Sequence, residues 1–175
     1  MTNLNNFQPP SLLLMIAGAK GAVGSTVAAA IAAMQKNPDV VLPSLITRNS
    51  FDYLGPPESV YMAGWDSQSA KLVDCIKNHG VLTDNLLKPL EENLENTPIL
   101  PSPPKDLDLK GQVAHLAKDI QDFKDQHADV SPVMINLLPA CTRCNLDTVK
   151  HVDDLHAEVN PVNVADLAFV LASLL

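Results

Sequence analysis

Three of the chain's seven glycines fall inside one seven-residue stretch, at Gly18, Gly21 and Gly24. Before them, residues 12–16 (LLLMI) are apolar on consecutive positions, as in a parallel strand buried on both faces. After them, residues 25–36 (STVAAAIAAMQK) are alanine-rich and free of breakers until Asn37-Pro38, which predicts a helix. A strand, a glycine turn and a helix in that order form a natural anion site. The first-turn N–H groups of the helix have no intrahelical partner, and the positive end of its dipole faces the turn. Glycine is favoured there because a Cβ would hold a phosphate away from the backbone. Gly21 is placed for close approach of a pyrophosphate and Gly24 for close packing of helix on strand, while Ser25 and Thr26 add hydroxyl donors. The spacing is G-x-x-G-x-x-G. It departs from the dinucleotide fingerprint, whose first glycine would fall at Ala19, and no Gly-Lys-Ser/Thr makes it a P-loop. Lys20 is either a phosphate partner or a solvated side chain.

The rest of the chain repeats the alternation. Residues 40–47 (VVLPSLIT) read as a strand interrupted by Pro43. Residues 60–63 (VYMA) read as another, leading into Gly64-Trp65-Asp66. Helices are expected over 67–78 and 83–96, the second capped by Thr83-Asp84. A proline-rich connector over about 97–107 follows. Residues 109–128 are the most periodic segment, with Val113, Leu116, Ile120 and Phe123 on one face. VMINLL (133–138) reads as a buried strand, and helices are expected over 146–159 and 162–175. Strands alternating with helices predict an α/β fold: one Rossmann-like domain over 1–175, doubly wound, with a mostly parallel sheet and helices on both faces. Ligands of such sheets bind at the carboxyl ends of the strands. Asp66, at the end of its strand, is placed as a ribose acid. Arg48 reads as a 2′-phosphate partner or a surface arginine.

Composition excludes several classes. The net charge is −8, and the twelve Lys and Arg residues are scattered, which argues against a nucleic-acid partner. No apolar run approaches the roughly 18 residues of a membrane span. The residues before the first strand carry no positive side chain for a secretory signal. Three cysteines do not make a disulfide framework, so a reducing, cytoplasmic setting is expected. Cys141-Thr-Arg-Cys144, with His151 and His156 downstream, is open to three readings: a zinc site, a redox pair, or small loop and core residues.

Four segments together resemble one family. GAKGAVGST resembles the glycine-rich loop of myo-inositol-1-phosphate synthases. AGWDSQSAKLVDCIKNHGVLTDNLLKPLEENL looks like their Gly-Trp-Asp segment with its two helices, ILPSPPKD supplies their Leu-Pro-Ser, and HLAKDIQDFKDQHADVSPVMINLLPACTR is similar to their helix and following strand. The segments keep the family's order over about residues 12–144. The resemblance implies an NAD-binding portion of an enzyme that converts glucose 6-phosphate to inositol phosphate by internal oxidation, aldol closure and reduction. Carried over, Gly18, Gly21, Ala22, Val23 and Gly24 would face the pyrophosphate, Asp66 and Ser67 the adenosine, and Ser102 the nicotinamide side. Leu138, Pro139, Ala140 and Cys141 would form a loop over the cofactor. Ala22-Val23 stands where many members carry an Asn pair, and Lys20 where they carry a glycine. Nothing after Cys144 resembles the family's catalytic and tetramer-forming half, so the chain is expected to bind cofactor without turnover alone. A second polypeptide, or another copy docking through the apolar helix ADLAFVLASLL, is the expected partner. The alternatives are a non-enzymatic dinucleotide sensor or scaffold, and a Cys/His metal module.

Overall fold

The computed structural model describes residues 11–36, 59–139, 147, 150–151, 153–154 and 165–175. Among these, four strands form one parallel sheet: β1 (Ser11–Ala17), β2 (Val60–Asp66), β3 (Ile99–Pro101) and β4 (Val130–Asn136), in the order β3-β2-β1-β4. Register pairs Ala17 with Trp65 on one side of β1 and with Asn136 on the other, and Asp66 with Pro101. The chain therefore steps outward from β1 to β2 to β3, then returns to place β4 on the far side of β1. The reversal opens a crevice at the carboxyl ends of β1 and β4, the point at which ligands of doubly wound sheets bind.

Helices cover both faces, and the alternation of strand side chains assigns each its core. On one face α1 (Ala22–Lys36), α2 (Leu72–His79), α3 (Asp84–Leu87) and α4 (Glu91–Glu95) bury Ala28, Ala32, Ile76, Leu87 and Leu94 against Ile16 and Met62. The alanines of α1 leave little side chain between helix and sheet, which brings the helix axis close. On the other face α5 (Leu109–Gln126) and α6 (Ala165–Ala172) pack on Leu13, Met15, Ala17, Ala63 and Trp65. The four periodic positions of α5, Val113, Leu116, Ile120 and Phe123, are all buried there, and α6 buries Ala168, Phe169, Leu171 and Ala172. Trp65 has no exposed surface; its rings meet Phe123 and Phe169 at 5.3 Å between centroids. Its indole N–H donates to Asp119 Oδ2 at 2.8 Å. Asp108 caps α5, its carboxylate accepting the Gly111 amide at 2.7 Å.

The doubly wound α/β class is as the sequence predicts, but several elements differ from their expected bounds. The first helix begins at Ala22, three residues before Ser25. The helix expected over 67–78 begins only at Leu72, because the Gln68 amide turns back onto Asp66 Oδ1. It ends on Gly80, at φ +64°. The helix expected over 83–96 is broken into α3, a 3₁₀ turn (Lys88–Leu90) and α4, since Pro89 has no N–H to continue the ladder. Thr83 stands at the cap position without a side-chain hydrogen bond to the helix. The proline connector is not merely a linker: Ile99–Pro101 pairs with β2, and among the described residues β3 lies at the sheet edge, where a proline is tolerated. The strand expected over 133–138 runs from Val130 to Asn136. The strand expected over 40–47, Arg48, most of the helix expected over 146–159, Ala140, Cys141, Cys144 and His156 lie outside the described residues.

Candidate functional site

The glycine turn is built by close backbone approach. Gly18 has φ +82°, a conformation L side chains rarely adopt. A Cβ on Gly24 would stand 2.7 Å from the Gly18 carbonyl oxygen and 2.8 Å from that of Ala19. Gly21 is less confined, its nearest such neighbour being the Gly18 oxygen at 3.3 Å. In β2, a Cβ on Gly64 would meet the Ile16 backbone and stand 3.0 Å from Ala19 Cβ, so the strand also makes room for the turn.

The amides of the turn divide into two sets. Gly18 and Ala19 both donate to the Trp65 carbonyl (2.9 and 3.1 Å), Lys20 donates to Asp66 Oδ2 (2.8 Å), and Gly21 donates to Gly18 (3.1 Å). The first three hold the turn to the end of β2, and the fourth closes the turn on itself. The Ser25 amide donates to the Gly21 carbonyl at 2.9 Å, the first hydrogen bond of α1. Ala22, Val23 and Gly24 therefore occupy the first turn, where amides have no intrahelical acceptor. Ala22 and Val23 are exposed, Val23 at 62%, whereas Gly24 is buried against the turn. The hydroxyls of Ser25 and Thr26 are directed back into the helix, each donating to the Ala22 carbonyl (3.3 and 2.7 Å).

Around this turn the fold gathers the predicted residues that it describes. Asp66 is buried, and its two carboxylate oxygens accept the amides of Lys20 and Gln68. Its own carbonyl accepts the Ser102 amide at 3.1 Å, which brings Ser102 to the same sheet edge. Ser67 is exposed at the start of the β2–α2 loop. From the β4 side, Leu137 donates to the Ala17 carbonyl (3.0 Å), and Leu138 Cδ2 would lie 3.4 Å from a Cβ on Gly18. Asn136 fixes that corner, accepting the Leu138 amide and donating to the Asp166 carbonyl. Pro139 follows, exposed. The edge thus combines open helix amides, a carboxylate and an apolar wall.

Sequence reasoning missed the residues that bind the turn to α2. The Lys20 ammonium donates to the Gln68 carbonyl at 2.6 Å, and His79 Nε2 lies 2.9 Å from the Lys20 carbonyl. A carbonyl only accepts, so that ring nitrogen carries the proton. Gln68 Oε1 accepts the Cys75 thiol at 3.7 Å. Burial pushes the thiol's pKa up, against the opposing influence of the Lys20 charge. No local pattern announces contacts between residues some fifty positions apart. A cleft of about 290 Å³ opens beside Lys20, lined by Lys71, Leu72, Leu94, Glu95 and Ile99. The larger concavity, about 810 Å³, is lined by Gln35, Tyr61, Met62, Asn96 and His127 and shares no residue with the turn. The carboxyl edge remains the better candidate, because the open amides and the reversal of strand order both lie there. Among the described residues, no group of three or more His, Cys, Asp or Glu side chains is arranged to hold a metal. Among them, too, no helix is long and apolar enough to cross a membrane.

Strand order, helix placement and glycine turn define a Rossmann-like domain. A solved structure agrees at the level of fold. Inositol-3-phosphate synthase from Caenorhabditis elegans superposes with a TM-score of 0.71 at 18% identity, over 95% of this chain and 43% of that one. Glucose-6-phosphate 1-dehydrogenase from Mycobacterium avium gives a TM-score of 0.40 at 19% identity, over 74% and 24% of the two chains. A short-chain type dehydrogenase/reductase from Mycobacterium marinum gives 0.39 at 15% identity, over 99% and 52%. The chain thus spans less than half the length of the synthase it superposes on. No protein-family model matches the chain, and neither does any curated protein sequence.

Proposed function

We propose that this chain binds a dinucleotide, NAD, at the carboxyl edge of its sheet, as the cofactor-carrying part of an inositol-phosphate-synthase-like protein. The observation that carries the reading is the division of amides. Those of Gly18 to Gly21 are tied to β2 or within the turn, which leaves the amides of the exposed Ala22 and Val23 at the positive end of α1, with Gly24 buried against the turn behind them. A pyrophosphate accepts from those two amides. The buried Asp66 carboxylate has lone pairs left beyond its two amide contacts, enough to accept a ribose hydroxyl. Ser67 flanks the adenosine. Ser102 and the segment of Leu138, Pro139, Ala140 and Cys141 flank the nicotinamide. NAD, when bound, takes up and returns a hydride. The family's conversion of glucose 6-phosphate to inositol phosphate then needs residues this domain does not supply, from a second polypeptide or further chain. The setting is cytoplasmic.

Val23→Asp tests the reading without disturbing the core. The new carboxylate sits in the first turn of α1, where it stabilises the helix by about 0.3–1 kcal/mol. It also repels a pyrophosphate at the same amides. Isothermal titration with NAD⁺ is expected to give saturable binding to the wild type and none to Val23→Asp, whose melting temperature is unchanged or raised. Equal affinity in both proteins would remove the pyrophosphate from this turn.

A further inference from the structure

Lys20 is held at three points. Its amide donates to Asp66 Oδ2 (2.8 Å), its carbonyl accepts from His79 Nε2 (2.9 Å), and its ammonium reaches across to the Gln68 carbonyl (2.6 Å). The same Gln68 donates its amide to the other Asp66 oxygen at 2.9 Å. Lys20 and Gln68 thus bracket one buried carboxylate, and the ammonium closes the bracket from outside. A lysine in a glycine turn beside an anion site would ordinarily be read as a phosphate ligand. Here its charge is directed along the β2–α2 loop, and it stands two residues before the first open amide, that of Ala22.

We propose that Lys20 is a positioning residue, a latch that holds the anion-binding turn in its binding geometry before any ligand arrives. This inference rests on the dinucleotide reading. A turn fixed in advance loses less conformational freedom on binding, so affinity rises without a new ligand contact. Gly18 to Gly21 have no side chain beyond Ala19 Cβ and the Lys20 chain itself with which to restrict the turn. Lys20 supplies the one long arm, and the β2–α2 loop supplies its anchor.

The test is hydrogen exchange on the whole chain without ligand, paired with NAD⁺ titration, for wild type, Lys20→Met and Lys20→Arg. In Lys20→Met the amides of Gly18 to Gly21 are expected to exchange faster while those of α5 keep their protection, showing that the fold is intact. NAD⁺ affinity is expected to fall roughly three- to tenfold, the equivalent of one ordinary hydrogen bond. Lys20→Arg, which also donates to a carbonyl, restores both. Unchanged exchange with lost affinity would overturn the latch and make Lys20 a direct phosphate ligand. Faster exchange with unchanged affinity would overturn the positioning role. Should the wild type itself bind no NAD⁺, the dinucleotide reading fails and the positioning role with it. The exchange data still decide separately whether the latch exists.

Discussion

Gly24→Ala puts the packing of the turn to a quantitative test. In an open helix the substitution would be stabilising, because alanine is favoured over glycine by about 1 kcal/mol. At Gly24 the new methyl meets three backbone atoms: the Gly18 oxygen at 2.7 Å, the Ala19 oxygen at 2.8 Å and Ala19 Cα at 2.9 Å. Comfortable carbon–oxygen contacts begin near about 3.3 Å, so the turn and helix must separate by about half an ångström. None of the three atoms belongs to a flexible side chain. Gly18 and Ala19 are both tied to the Trp65 carbonyl, so separation strains those hydrogen bonds as well. Overpacking of this kind costs about 1–3 kcal/mol, and weakening a hydrogen bond adds about 1 kcal/mol. Set against the helix gain, the net loss is about 1–3 kcal/mol, or roughly 2–12 °C in melting temperature for a chain of this size. Urea and thermal denaturation followed by circular dichroism measure it. Gly21→Ala is the control: its nearest neighbour beyond the adjoining residues is 3.3 Å away, and its φ is not positive. It is expected to keep its stability while losing NAD⁺ affinity, because its methyl stands at the mouth of the turn. A Gly24→Ala protein as stable as the wild type, or more so, would refute the close-packed contact.

Two further expectations concern the cores. Asp119→Ala leaves the fully buried Trp65 indole N–H without its acceptor and is expected to destabilise by about 1–3 kcal/mol. Asp119→Asn keeps an acceptor oxygen and should lose less, and equal urea midpoints for Asp119→Ala and wild type would exclude the bond as a contributor. Cys75 gives a pH signature. Its folded pKa lies above the ordinary value of 9.0, so the unfolded chain ionises first. Its contribution is intact below that value and is lost as pH rises through the folded one. Wild type should therefore lose more stability than Cys75→Ala between neutral pH and about pH 10, and parallel urea midpoints across that range would contradict the burial of the thiol.

What was legible in the sequence was whatever local patterning determines. A short unbroken apolar run bounded by prolines and a glycine turn suits a doubly covered strand, so β1 was readable. The heptad-like spacing of Val113, Leu116, Ile120 and Phe123 admits one helix face, and all four are buried. Bounds failed where a tertiary contact or a single residue overrode the pattern. Pro89 divides a segment whose propensities favour one helix, and a carboxylate at Asp66 holds the 67–71 segment out of α2. Ile99–Pro101 becomes a strand only because β2 offers an unpaired edge, a fact about the sheet and not about its prolines. In the site, Gly18, Gly24 and Asp66 announced themselves by type and position. Gln68 and His79 did not, because a surface glutamine and a helix-terminal histidine acquire their roles only when the turn folds against them.

The site is a consequence of how the two cores share β2. Alternate residues of the strand serve opposite faces: Met62 packs under α1, and Ala63 and Trp65 pack under α5 and α6. Between them Gly64 has no side chain, and the Ile16 backbone and Ala19 fill the space. This closeness brings the Trp65 carbonyl and the Asp66 carboxylate within reach of three successive amides, Gly18 to Lys20. Had those amides remained open, an anion would have had three further competing donors spread around the turn. Because β2 takes them, the donors left are the consecutive ones of the first helical turn, all aligned with the dipole of α1. The indole that anchors β2 on the far face and the carbonyl that anchors the glycine turn belong to one residue, Trp65. Packing of α5 and α6 against that indole therefore fixes the height of the turn above the sheet, which is why the position of the candidate site depends on the core around Trp65.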